Sequence, residues 1–145
     1  LPAAGRGLYA ESGTGVQRHL ATVGAEAGGG PDMKKIECYI QPFDFDTVAQ
    51  AMAVEGVVGM SVTEVRGFGV QRGFRLGEEP KPGEYIFHPK MKVEMVVNDE
   101  DVDRIVDAMR ASLKSHMIGE GKIFVTPVED AIRTRTGERG DAALH

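Results

Sequence analysis

From residue 35 onward apolar and polar side chains alternate. Ile36, Cys38 and Ile40 stand against Glu37, Tyr39 and Gln41, the period of two expected of a half-buried strand, and Pro42 stops it. Phe45, Val48 and Met52 then recur at helical spacing, a stripe suited to lie on a sheet. Asp44 or Asp46 is placed to cap that helix and Gly56 to end it. Residues 59–65 read as a second strand running into the Gly67-Phe68-Gly69 bend. From 69 to 89 the pattern is lost, and four Gly and three Pro residues mark a long connection of the kind that is functional or mobile. Alternation returns at Met91, Val93, Met95 and Val97 against Lys92 and Glu94. Asn98 or Asp99 opens a second helix, with Val102, Ile105, Val106, Met109 and Leu113 on one face, and a short strand follows at 123–128.

The order strand, helix, strand, long loop, strand, helix, strand predicts an α+β, ferredoxin-like βαββαβ sandwich. Ser61-Val-Thr63-Glu-Val65 echoes Phe124-Val-Thr126-Pro-Val128, as two similar halves would. With both helices on one face, the other face of the sheet needs cover. Val96 beside Val97 suggests that this face is partly apolar, and self-association is expected. Residues 1–32 are Gly- and Ala-rich, lack sustained periodicity and end in Gly28-Gly29-Gly30-Pro31 before Met33. They read as upstream sequence ahead of the natural start or as a native flexible arm, mostly disordered, with a short helix at 16–23 compatible with the pattern. Residues 33–145 are the folded domain.

Composition narrows the partners. At 145 residues with 27% charged side chains and a net charge of −5, the chain is one soluble domain's worth, and its acidic balance argues against nonspecific nucleic-acid binding. A single cysteine, Cys38, excludes an internal disulfide and fits a reducing cytoplasm; on its strand it reads as a small core residue. No stretch approaches a membrane span, so no direct membrane insertion is expected.

Candidate chemistry gathers near the end of the chain. Gly119-Glu120-Gly121-Lys122 can converge backbone N–H groups on an anion, with Lys122 adding a cation. Arg133 and Arg135, two apart in what reads as extended chain, would point their guanidinium forks the same way. The loop is not a Walker A motif, because the four-residue spacer and trailing Ser or Thr are missing and a strand follows. Gly67-Phe68-Gly69 likewise opens no helix, and Gly73 comes one place late for a dinucleotide fingerprint. His19, His88, His116 and His145 show no metal-ligand spacing and no acid partner; His116 lies beside the glycine loop and could add a pH-dependent charge there.

Several separated words, in order, resemble the PII signal-transduction proteins of nitrogen metabolism. Met33-Lys34-Lys35-Ile36-Glu37 with Gln41-Pro42-Phe43 resembles the family's opening, and Gly59-Met60-Ser61-Val62-Thr63-Glu64-Val65 with Gly67-Phe68-Gly69 its second strand. Pro89-Lys90-Met91-Lys92-Val93-Glu94 resembles the third, and the glycine loop with Arg133-Thr-Arg135-Thr-Gly137-Glu138-Arg139-Gly140 the last strand and tail. The resemblance implies a cytoplasmic homotrimer, not an enzyme, that binds ATP, ADP or AMP in clefts between subunits. On the matching positions, Gly119, Gly121 and Lys122 would wrap the phosphates, Arg133 and Arg135 reach them, Gly67 and Gly69 border the nucleotide, and Glu94 and Val96 face the base. Gln71 and Lys90, with Gly119, would hold 2-oxoglutarate beside Mg-ATP, Gln71 meeting the metal only through the bound nucleotide. The loop 69–89 would contact the target: an ammonium channel, a transporter or a metabolic enzyme.

Two departures stand out. The tyrosine that many PII proteins modify falls here on Gly83, with no serine in the loop and Tyr85 two places on, so control by ligand alone is expected. Ser115-His116-Met117 replaces the usual Thr-Gly-Lys, which removes a phosphate-facing lysine and leaves the nucleotide preference open. The alternatives are a carbon-status sensor answering to ADP or AMP with bicarbonate, a phosphate-transferring enzyme, and a structural trimer without ligand.

Overall fold

The structure, a computed structural model, describes residues 32–75, 77–113 and 121–145. Four strands, β1 (Met33–Ile40), β2 (Ser61–Gly67), β3 (His88–Asn98) and β4 (Ile123–Val128), form one antiparallel sheet in the order β2-β3-β1-β4. Helices α1 (Phe45–Val54) and α2 (Val102–Ser112) complete the expected ferredoxin-like sandwich. The alternation on the two central strands decides which face they cover. Ile36 pairs across from Met95 and Cys38 from Val93, and these residues bury with Ile40 and Val97 against Val48, Met52, Ile105 and Met109. The predicted stripes are therefore the core, with Phe45, Val102, Val106 and Leu113 at its margin.

Each helix is entered in the same way. A one-turn 3-10 segment, Pro42–Asp44 or Asp99–Asp101, precedes it, and an aspartate, Asp44 or Asp101, holds the N-cap position at closely similar backbone angles (φ −89°, ψ −12° and φ −92°, ψ −11°). The echo between the halves thus extends to their helix entries. Gly56 ends α1 at φ +80°, with Gly56 N bonded to Ala53 O (3.1 Å) and Val57 N to Met52 O (3.0 Å). That pair is a Schellman stop, and Val57 packs on the core beyond it.

Two strand boundaries differ from the sequence reading. β2 runs 61–67 rather than 59–65, and β3 starts at His88, so Pro89 and Lys90 lie in the strand. Pro89 is tolerated because β1 reaches only as far as Met91, so no third strand flanks β3 there.

The uncovered face carries Val96, as expected, across from Lys35. Its centre is charged rather than apolar, because the β1–β3 register sets Glu37 directly opposite Glu94. Two lysines bridge this like-charge pair: Lys35 lies 3.4 Å from Glu37 and 3.2 Å from Glu94, and Lys92 lies 3.8 and 3.2 Å from the same two. Apolar exposure on the sheet falls on the edge strands, where Phe124, paired with Glu37, is exposed on the open face. Val62, opposite Val93, and Val125, opposite Ile36, are on the helix side yet 44% and 43% exposed, because the helices cover only the central pair.

Candidate functional site

Six of the residues singled out by sequence meet at one end of the sheet. Gly67 and Gly69, at the exit of β2, Gln71 in the turn beyond, Lys90 near the start of β3, and Gly121 and Lys122 before β4 line one groove of about 840 Å³. Gly119 and His116 fall outside the described residues. Tyr39 and Phe124, edge to face with centroids 6.2 Å apart, share the groove wall and were not singled out by sequence. The sequence signal was the alternation, which turns Tyr39 away from the core; the pairing of Phe124 with Glu37 then sets it on the same face.

The glycines of this groove are of two kinds. Gly121 has φ +138°, and a Cβ there would lie 1.5 Å from the carbonyl oxygen of Tyr39, while Tyr39 N donates to Lys122 O at 3.0 Å. The fold itself therefore demands glycine at 121, whatever a ligand requires. Gly67 and Gly69 show neither a positive φ nor any neighbour within 4 Å of a built Cβ, so nothing within the described chain requires glycine at either. Burial lowers the pKa of the Lys90 ammonium, and an anion in the groove would offset its lost hydration.

Glu94 and Val96 are elsewhere. They line a second hollow, of about 560 Å³, with Lys35, Ser61 and the tail residues Ala143 and Leu144. Arg133 holds that tail: its guanidinium bonds Glu138 (2.9 Å), Ala142 O (3.2 Å) and His145 O. The premise that Arg133 and Arg135 lie on extended chain does not hold. Residues 134–136 form a turn, closed by Gly137 N to Arg133 O (2.8 Å) and Arg133 N to Glu138 O (2.9 Å), between the bridged residues Ile132 and Arg139. Arg135 is exposed at that turn. An anion drawing on Arg133 must compete with Glu138. His145 does have an acid partner, Asp141 at 3.3 Å.

The long loop, 68–87 between the strands, is pinched at its stem. Ile86 N donates to Arg72 O (2.8 Å), His88 Nε2 lies 2.7 Å from Gly73 O, and Arg66 Nη2 donates to Phe87 O (3.1 Å). Phe68 packs on Tyr85 and Phe87, with centroids 4.7 and 5.0 Å away. Toward the tip, Arg75-Leu-Gly-Glu78 and Lys81-Pro-Gly-Glu84 repeat one device. The glutamate N–H bonds the carbonyl three residues back (3.0 and 3.1 Å), its carboxylate accepts from that residue's N–H (2.8 and 3.0 Å), and the glycine has positive φ, +92° and +85°. The pattern read as lost is thus a pair of built turns. Among the described residues no three His, Cys, Asp or Glu side chains gather as a metal site, and no helix is long and apolar enough to cross a membrane.

The family model described as nitrogen regulatory protein P-II matches residues 33–138. Nitrogen regulatory protein P-II of Nostoc punctiforme is 48% identical over 114 residues, which cover 77% of this chain and 100% of that protein. That of Cereibacter sphaeroides is 47% identical over the same extents. A crystal structure of Arabidopsis thaliana PII bound to citrate superposes with a TM-score of 0.64 at 34% identity, covering 78% of this chain and 92% of the other.

Proposed function

The chain belongs to the P-II family of nitrogen regulatory proteins, a signalling rather than a catalytic family, and from that premise we propose that it binds an adenine nucleotide in clefts between the subunits of a cytoplasmic homotrimer. The groove of Gly67, Gly69, Gln71, Lys90, Gly121 and Lys122, with Gly119, takes the phosphates. The hollow of Glu94 and Val96 in the neighbouring copy takes the base, and Arg133 and Arg135 of that neighbour's tail reach across. A small effector such as 2-oxoglutarate sits with Mg²⁺ and the nucleotide beside Gln71 and Lys90. Its binding favours one state of the loop over another, and the output is a shift in the loop's binding to a target such as an ammonium channel, a transporter or a metabolic enzyme.

One observation carries the reading: the expected ligand residues divide between two hollows of one chain, as a site completed by a second copy requires. Two glycines that the chain's own packing does not demand, Gly67 and Gly69, support close approach of a ligand to the groove. The dicarboxylate end of the effector has a candidate partner in Lys90. A second reading, carbon sensing through ADP or AMP with bicarbonate, is favoured by Gly83. This residue stands in the modifiable tyrosine's place at φ +85°, in a Pro-Gly turn where a tyrosine would be strained.

Isothermal calorimetry with ATP, ADP and AMP, each with Mg²⁺ and either 2-oxoglutarate or bicarbonate, tests both. Mutual tightening of ATP and 2-oxoglutarate supports the first reading. Preference for ADP or AMP, with bicarbonate alone changing the affinity, replaces it by the second. Failure of every nucleotide to bind or to raise the Tm leaves only a structural assembly.

A further inference from the structure

We propose that His88 is a positioning residue for the ligand groove, a latch that fixes the turn presenting Gln71; the proposal rests on the nucleotide-and-effector reading above. The loop stem is tightest at Gly73. Its φ is +86°, and a Cβ on it would lie 1.9 Å from Ile86 O, so the two sides of the loop stem touch backbone to backbone there. The residue before it, Arg72, has φ +49°, a conformation that a non-glycine residue keeps only when its surroundings hold it. Those surroundings are few. Arg72 N donates to Gly69 O (2.9 Å), Phe74 N donates to Gln71 O (2.9 Å), and Ile86 N donates to Arg72 O (2.8 Å). Among the described residues, the side chain that ties this turn to β3 is His88, through its Nε2 at 2.7 Å from Gly73 O.

A carbonyl oxygen only accepts, so Nε2 carries the proton in this contact. His88 and Gln71 line the same groove, one residue, Arg72, separating Gln71 from the latched Gly73 and one, Pro89, separating His88 from Lys90. Fixing Gly73 therefore fixes where the Gln71 amide can point relative to Lys90. An effector held between those two side chains gains from the latch more than a nucleotide gripped mainly by Gly121 and Lys122 does. Histidine at 88 is on this account a determinant of how strongly effector and nucleotide couple.

The test compares the wild type with His88→Leu, which fills similar space without a donor, and with His88→Gln, whose amide N–H can still reach a carbonyl. Calorimetry measures 2-oxoglutarate, and separately bicarbonate, on protein saturated with Mg²⁺ and the nucleotide that binds best. His88→Leu is expected to weaken effector binding by about 2- to 10-fold, the range that one net hydrogen bond supports, and by more than it weakens the nucleotide. His88→Gln is expected to recover much of the loss. Limited trypsin digestion of the ligand-free proteins is the second readout: cleavage after Arg72 and Arg75 should be faster in His88→Leu and return toward wild type in His88→Gln. Equal effector affinity and equal cleavage in all three proteins overturn the latch, as does a His88→Leu loss that falls equally on nucleotide and effector. If the wild type binds no nucleotide, the functional reading fails, while the digestion still decides whether His88 holds the turn.

Discussion

Gly121 and Gly69 separate two reasons for a glycine in one groove. Gly121→Ala puts a Cβ onto the Tyr39 carbonyl and strains a positive φ, so urea unfolding should show a loss of about 2 kcal/mol or more. Gly69→Ala meets nothing and should leave the Tm within about 1 °C of wild type, while nucleotide binding measured by calorimetry falls. Cys38 makes a different prediction. Burial pushes its thiol up from 9.0 to about 11, so Ellman's reagent should leave the native protein unlabelled at pH 8 and label it in urea. Because the folded state holds the proton more tightly, stability should be unaffected by this group below pH 9 and decline between pH 9 and 11, by at most about 3 kcal/mol. At this scale the sequence was legible wherever alternation alone decides burial, as at Ile36, Cys38 and Val93. It was not legible at Gly121, whose constraint comes from a carbonyl on another strand, nor at Arg133, where the spacing carried no sign of the turn that follows.

Elements were legible where periodicity is strong and less so where strands end. Both helices, their stripes and the two central strands follow from periods of 3.6 and 2. The boundaries of β2 and β3 do not, since they are set by pairing between residues far apart in sequence, Gly67 with His88 at the limit. The open face of the sheet shows the same dependence. Val96 beside Val97 suggested a partly apolar surface, and Val96 and Phe124 do lie on it, but the register brings Glu37 against Glu94 and makes the centre a quartet with Lys35 and Lys92. The Tyr39 hydroxyl, donating to Glu37 at 2.8 Å, is the main cause holding that carboxyl below its ordinary range, with Lys35 and Lys92 adding to it. Tyr39→Phe should therefore raise the Glu37 pKa, followed by NMR titration of the side-chain carboxyl. The sign for stability follows: a depressed carboxylate contributes above its unfolded pKa, and the contribution is lost as pH falls through the folded value. Removing the Tyr39 hydroxyl moves that loss to higher pH.

For the whole molecule, the fold and family were readable because order and spacing of separated words specify a chain path, whereas assembly depends on surfaces that no single stretch describes. Val62 and Val125 on the edge strands, and Phe124 at the margin of the open face, are exposed apolar side chains that a neighbour could cover. Light scattering after size exclusion should return three times the chain mass, and Val125→Glu should shift it downward. The division of the ligand residues between a groove and a hollow has one further consequence, of a genetic kind. A copy disabled in its groove by Lys122→Ala and a copy disabled in its hollow by Val96→Asp would each be inactive alone, yet co-expressed they should complement. In any mixed ring of three, one junction joins an intact groove to an intact hollow. Recovery of a single nucleotide per mixed trimer, counted on differently tagged copies, is the expected result; a site contained within one chain would give none, because every copy carries one disabled half.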